Sequence, residues 1–380
     1  MQLTRIHVDG VRNLVLVDVE PHRRLSVFVG DNGQGKTNLL EAVHLAAALR
    51  PLRALERAAD LVGFGRERGV VRAMFDLDGP LPIEVVVEPK GRRATVAGKN
   101  VRDVGEVASR IGVVSFLPED AAMIRGGPDL RRRGLDRFAY SLLPSFAAIA
   151  RRFEEALERR NRVLKAPVID EDLLESYDAP FADAAAALTK ARALAAAKWA
   201  PAFRAEARSI GGDALAAQMS YAPAIVGASI DMGDAFAIDE VSIASRLLEM
   251  LAASRTQELK RRTTATGPQQ DDLLFVKADR KARFLASQGE ARALVLAMKL
   301  AAVRLVTEAR GTGPLLLLDD VAGELDPDKA ARLFKAVDET GAQVFVTTTH
   351  EGALPAFTRA DAGAGAGAVF HVAAGRVERA

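Results

Sequence analysis

The chain has no cysteine among its 380 residues. That excludes disulfides, a thiolate nucleophile and a cysteine-ligated metal. Histidine is scarce too: there are five, and His44 and His350 stand far apart in sequence. No compact metal-ligand cluster is spelled out. Aromatic residues make up 5% of the chain, with three Tyr and one Trp, so base stacking is a poor foundation for any single-strand binding. The net charge is +2, which confines a nucleic-acid site to a local patch. The opening "MQLTRIHVDG" lacks the apolar core of a signal peptide. No run approaches the length of a membrane span. These absences predict a cytoplasmic protein without a membrane partner. Hydrophobic residues at 49% and charged residues at 27% are ordinary for a globular chain, and the length suffices for two or three domains.

What is present starts with "LSVFVGDNGQGKTNLLEAVHLAAAL". Ser26 to Val29 read as a buried strand, and Leu39, Leu40, Val43 and Ala47 recur at helical spacing. Between them residues 30–37 spell G-x-x-x-x-G-K-T, a phosphate loop in its required context of strand before and helix after. Gly33 and Gly35 let the backbone amides converge on one point. Lys36 supplies a cation for the β- and γ-phosphates, and the Thr37 hydroxyl is a Mg²⁺ ligand. With Asn32 and Asn38 beside them, Gly30, Gly33, Gly35, Lys36 and Thr37 are the expected ATP contacts.

A second motif, "GPLLLLDDVAGELD", is a continuous apolar strand ending in Asp319 and Asp320. Such strands belong to parallel sheets, whose C-terminal ends hold ligands. Asp319 suits the metal, and Asp320 suits orientation of the attacking water. A pair of Asp at a strand end also serves as a helix cap; the phosphate loop favours the catalytic reading. Lys36 and Asp319 must share one sheet, so the nucleotide-binding domain is split by an insertion. Residues 69–101 alternate as an antiparallel meander, "RIGVVSFLPED" adds a short buried strand, and from about Pro128 the period turns helical. The boundaries expected are 1–129 with 261–380 for the ATPase domain and 130–260 for a helical lobe. The Gly-Ala repeat over 362–368 reads as a loop before a final hairpin at 369–377.

The order of motifs, with "FLPEDAAMIRGGPDLRRRGLD", "ERRNRVLK", "TGPQQDDLLF" and "LASQGEARALVLAMKLA" between the two nucleotide motifs, resembles the RecF family of DNA replication and repair proteins. The resemblance spans nearly the whole chain. It implies an α/β fold: an ABC/SMC-type P-loop ATPase head with a split nucleotide-binding domain and an inserted helical lobe. It also implies that Ser287, Gln288 and Gly289, at the mouth of a helix, contact ATP held by a second copy in a head-to-tail homodimer. By the same resemblance Asp326 of "GELD" lies at that interface and Glu119 is in a lid loop sensing the γ-phosphate. His350 is a switch histidine or, equally, a polar cap at a strand end. Arg12 is a nucleotide contact or a solvated arginine on a hairpin. Three positions depart from the family: Gln269-Gln270 stands where His-Arg is usual, and Glu290 where Gln is commoner.

The expected polymer is duplex DNA at single-strand gaps, with RecR, RecO and RecA as the pathway the resemblance implies. Basic runs occur at Arg131, Arg132 and Arg133, around Arg159-Arg160, and at Lys260-Arg261-Arg262. Each is either a DNA face or a solvated helix face. Expected chemistry is slow, DNA-stimulated hydrolysis of ATP with Mg²⁺. Two other readings share the nucleotide motifs: an ABC transporter ATPase subunit, and an SMC-like scaffold gated by nucleotide binding alone.

Overall fold

The structure, a computed structural model, describes residues 1–53, 57–101, 104–225, 239–277, 280–320, 335, 339–349 and 367–380. It divides into two compact units: Met1–Asp120 with Lys299–Ala380, and Ala121–Met298.

The first unit holds two sheets. Strands β1 (Gln2–Val11), β2 (Leu14–Val19), β4 (Gly69–Asp76), β5 (Pro80–Glu88), β6 (Gly91–Val96) and β7 (Lys99–Asn100) form one, antiparallel throughout, in the order β2-β1-β4-β5-β6-β7. The second contains β3 (Leu25–Val29), β8 (Val113–Phe116), β12 (Leu315–Asp319), β13 (Gln343–Thr348), β14 (Ala368–Ala373) and β15 (Arg376–Arg379), in the order β15-β14-β3-β13-β12-β8. From β8 to β14 it is parallel; β15 is antiparallel at the edge. Every residue of β3, β12 and β13 is buried, which is what strands covered on both faces require. The expected hairpin at 369–377 is present, and its first strand also pairs with β3.

Helix α1 (Lys36–Ala48) packs against strands of both sheets. Residues 39–47 are all buried, so over this stretch the helix has no solvent-exposed face. Ala42, Ala46 and Ala47 keep it thin, while Phe28, Leu317, Phe345 and Phe370 fill the parallel sheet's side of the same core. Phe28 stacks on Phe370 with centroids 5.1 Å apart. A short helix, α2 (Val104–Arg110), precedes β8.

The second unit is mainly helical: α3 (Ala122–Arg125), α4 (Pro128–Leu142), α5 (Phe146–Leu164), α6 (Glu171–Ser176), α7 (Asp178–Gly211), α8 (Glu240–Arg261) and α9 (Ala282–Leu285). α10 (Gln288–Arg310) supplies residues to both units. The stripe Phe181, Ala184, Leu188, Ala191, Ala195 and Trp199 is buried along α7. The unit also contains a small antiparallel sheet in the order β11-β10-β9, formed by β9 (Gln218–Ala222), β10 (Asp272–Lys277) and β11 (Arg280–Lys281). β9 lies within the expected helical lobe and β10 beyond it. Their pairing carries the unit on to Met298, whose carbonyl accepts from Trp199 Nε1 at 2.9 Å. The boundaries drawn from periodicity, at 129/130 and 260/261, therefore fall inside this unit.

Buried ion pairs hold the second unit together. Arg160, fully buried, donates to Asp178 at 2.9 Å, Thr264 at 2.8 Å and Glu258 at 2.5 Å. Arg192 bridges Asp136 and Asp271, both at 2.8 Å. Burial pushes the Asp271 carboxyl up, and the Tyr221 hydroxyl donates to it at 2.5 Å.

Candidate nucleotide site

β3 is buried throughout, so its chain emerges at the C-terminal edge of the parallel sheet, where residues 30–35 turn into α1. Gly33 and Gly35 take φ values of 81° and 113°, a region that disfavours side chains. A Cβ on Gly35 would also stand 2.7 Å from Asn13 Oδ1. Asn13 donates to the Gly33 carbonyl at 3.2 Å and accepts from Asn38 Nδ2 at 2.8 Å. On the other flank, Ala374 N donates to Gln34 Oε1 at 2.6 Å and Gly375 N to Gln34 O at 3.0 Å. Asn32 is exposed.

Lys36 is 7% exposed, and its Nζ donates to the carbonyls of Gly30 at 2.6 Å and Asp31 at 2.9 Å. Among the described residues no carboxylate forms an ion pair with it. A buried ammonium held by neutral carbonyls is under-compensated and draws an anion. Thr37 Oγ1 lies 2.8 and 2.9 Å from the two oxygens of Asp319, 282 residues away in sequence. The register that pairs Asp319 with Thr347 puts Thr347 Oγ1 at 2.8 Å from Asp319 Oδ1. A hydroxyl beside a carboxylate is a hard-oxygen pair that fits Mg²⁺ shared with phosphate. Asp320 leaves the strand with φ 51° and its N–H donates to Thr347 Oγ1 at 3.0 Å.

Two groups that motif reading did not single out complete this edge. Arg53 Nη2 donates to Asp319 Oδ2 at 3.1 Å, and its Nε stands 3.3 Å from Oε1 of the exposed Glu119. The 3-10 turn Pro118–Ala121, which bears Glu119, is pinned by Asp120, which accepts from Leu117 N at 2.9 Å and pairs with buried Lys299 at 2.9 Å. Glu41 is the second group. It is buried on α1, which pushes its carboxyl up, and it accepts from Leu52 N at 2.8 Å. Arg12 Nη2 lies 3.9 Å from Glu41, and its own N–H donates to Leu61 at 2.8 Å. Neither Arg53 nor Glu41 sits in a spacing pattern; only the fold brings them to the site.

In the second unit, Ser287 Oγ accepts from Glu290 N at 3.2 Å, and Glu290 Oε2 accepts from Ser287 N at 2.9 Å. This reciprocal cap starts α10. It gives the family-atypical Glu290 a structural role, and the ion pair with Lys277 holds its carboxyl below the usual range. Ser287, Gln288 and Gly289 are exposed. Asp326 and His350 lie outside the described residues.

The basic runs need correction. Arg131 is 3% exposed and donates to Asp272 at 2.6 and 3.0 Å and to the Gly126 carbonyl at 2.6 Å. Its donors are spent inside the unit, which removes it from a DNA face. Arg132 is half-buried, donates to the Asp271 carbonyl at 2.6 Å and pairs with Asp129. Arg133 is exposed. Consecutive residues on a helix point about 100° apart, so a triplet cannot present one face. Arg160 is lost to the interior for the same reason.

The RecF/RecN/SMC N terminal domain family matches residues 2–362. The DNA replication and repair protein RecF of Myxococcus xanthus is 40% identical over 364 residues, covering 95% of this chain and 94% of its own. Among solved structures, the recombination mediator protein RecF-ATPrS in the RecFOR pathway aligns with a TM-score of 0.85 at 28% identity, over 99% of this chain and 97% of that one. For RecF-ATP the TM-score is 0.86 at 27% identity, over 100% and 97%.

Proposed function

The chain belongs to the RecF family of DNA replication and repair proteins, and from that premise we propose an ATP-gated clamp for duplex DNA at single-strand gaps. The observation that carries the nucleotide part is the meeting of Thr37 with Asp319 beside a buried Lys36 whose Nζ donates to carbonyls. In this reading Lys36 leaves the Gly30 and Asp31 carbonyls for phosphate oxygens, and the loop amides converge on the same group. Thr37 and Asp319 would hold Mg²⁺, which when bound neutralises and orients the β- and γ-phosphates. Asp320 orients the attacking water; Glu119 and Arg12 report on the phosphate end.

Ser287, Gln288 and Gly289 serve the ATP of a second copy, because their helix mouth is exposed and its amides suit an anion. ATP then joins two copies around a two-fold axis, and slow, DNA-stimulated hydrolysis parts them. With RecO and RecR the clamp supports loading of RecA. Among the described residues no helix is long and apolar enough to cross a membrane.

The test mixes two defective chains. Lys36→Met alone binds ATP too weakly to pair and stays monomeric in sedimentation. Ser287→Arg alone binds ATP but stays monomeric, because the bulky cation blocks closure. Mixed, they restore one composite site with an intact Lys36 and an intact Ser287, and ATP-dependent dimers partly return. Loss of ATP binding by the Ser287→Arg monomer would place the signature in its own chain's site instead.

A further inference from the structure

The carboxylate at the end of β12 carries a cation that neither nucleotide motif contains. Asp319 is 3% exposed, and a carboxylate so deeply placed requires a compensating charge. Lys36 is committed to two carbonyls, while Arg53 Nη2 donates to Asp319 Oδ2 at 3.1 Å. Thr347 engages the other oxygen, Oδ1. Thr37 Oγ1 reaches both oxygens, so among these contacts Arg53's is the charged one.

The arm is fixed at its root and looser at its head. Leu52 is 1% exposed and its N–H is held by Glu41; the Leu49 carbonyl accepts from Arg92 Nε at 3.2 Å. The Arg53 side chain keeps 38% of its exposure. A second carboxylate, Glu119, already stands 3.3 Å from Nε. A guanidinium that leaves Asp319 thus keeps an anionic partner without moving its backbone. Two carboxylates that share the Nε–Nη2 edge of a single guanidinium make an exchange between them inexpensive in charge terms.

We propose that Arg53 is a resident counter-ion that competes with the divalent cation for Asp319, and that Glu119 retains it when it is displaced. The site then admits a metal above a threshold that Arg53 raises and Glu119 lowers. This rests on the nucleotide-site reading above.

Mn²⁺ is the probe, with ADP present at saturation. ADP lacks a γ-phosphate, so a contact between Arg53 and that group does not enter. Free Mn²⁺ is followed by paramagnetic resonance in the full chain and in Arg53→Ala, Arg53→Lys and Glu119→Gln. The half-saturating Mn²⁺ concentration should fall by about 3- to 10-fold in Arg53→Ala. It should rise in Glu119→Gln, where the displaced guanidinium has lost its second partner. Arg53→Lys should fall between Arg53→Ala and the parent. An unchanged or higher requirement in Arg53→Ala overturns the proposal, and so does a lowered one in Glu119→Gln. If Arg53→Ala does not fold, the other two variants decide. Metal-free ADP binding, measured by calorimetry, separates the two levels. If the parent chain binds no ADP, the nucleotide-site reading itself fails. If ADP binds everywhere and the Mn²⁺ curves coincide, the counter-ion role alone fails.

Discussion

Lys36 in the first unit and Arg160 in the second are both buried cations, 7% and 0% exposed. Lys36 meets two backbone carbonyls. Arg160 meets Asp178, Thr264 and Glu258. The difference lies in the countercharge. Carboxylates packed around a guanidinium make a closed structural joint, whose charges balance within the chain. Carbonyls around an ammonium leave net positive charge, which an anionic ligand completes. Burial alone does not separate a structural cation from a ligand-binding one; the identity of its acceptors does.

The comparison can be broken most severely at Arg160. Arg160→Met strands Glu258 in the interior, while Asp178 keeps its pair with Arg255, and should cost about 3–5 kcal/mol of unfolding free energy, read from urea denaturation. ATP affinity of the folded fraction should not change. Lys36→Met reverses the pattern. Its melting temperature should stay within a few degrees of the parent, while ATP affinity in a calorimetric titration falls roughly 30- to 100-fold, as for loss of a charge-assisted contact. Equal destabilisation by both substitutions would erase the distinction. The smallest effect sharpens it on the surface. If exposed Arg133 meets a DNA phosphate, Arg133→Ala should reduce the slope of log affinity against log salt by about 1. Arg131→Ala should leave that slope alone and lower stability instead.

The phosphate loop and Asp319 were legible because their signals are local. A buried strand, glycines at the turn and a helix with Lys-Thr at its start occur within one short stretch, and the second strand announces itself by four successive leucines. The split of the nucleotide unit followed from the distance between the two. The small sheet β9–β11 was not legible, since Gln218–Ala222 and Asp272–Lys277 find each other across some fifty residues and neither strand is long. The arginine runs misled because charge says nothing about burial. Arg131 and Arg160 look in sequence like their exposed neighbours, and only their partners, Asp272 and Glu258, distinguish them. Arg53 and Glu41 had no pattern at all: they matter through contacts with Asp319 and Arg12 that the fold alone creates. Glu290 stood in the sequence only as a departure where Gln is commoner, and its partners make it half of a helix cap.

The placement of β3 sets a tempo for the chain's birth. Both neighbours of this strand, β13 and β14, come from the far end of the sequence, and the backbone that braces Gln34 belongs to Ala374, 340 residues later. At about 5–20 residues per second, a ribosome needs roughly 20–70 s to supply them. Through that interval the strand preceding the phosphate loop, buried throughout and apolar but for Ser26, has neither neighbour to pair with. Such non-local closure is slow and leaves an open edge exposed to wrong partners. The nascent polypeptide therefore depends on shielding of residues 25–29 until the final strands emerge.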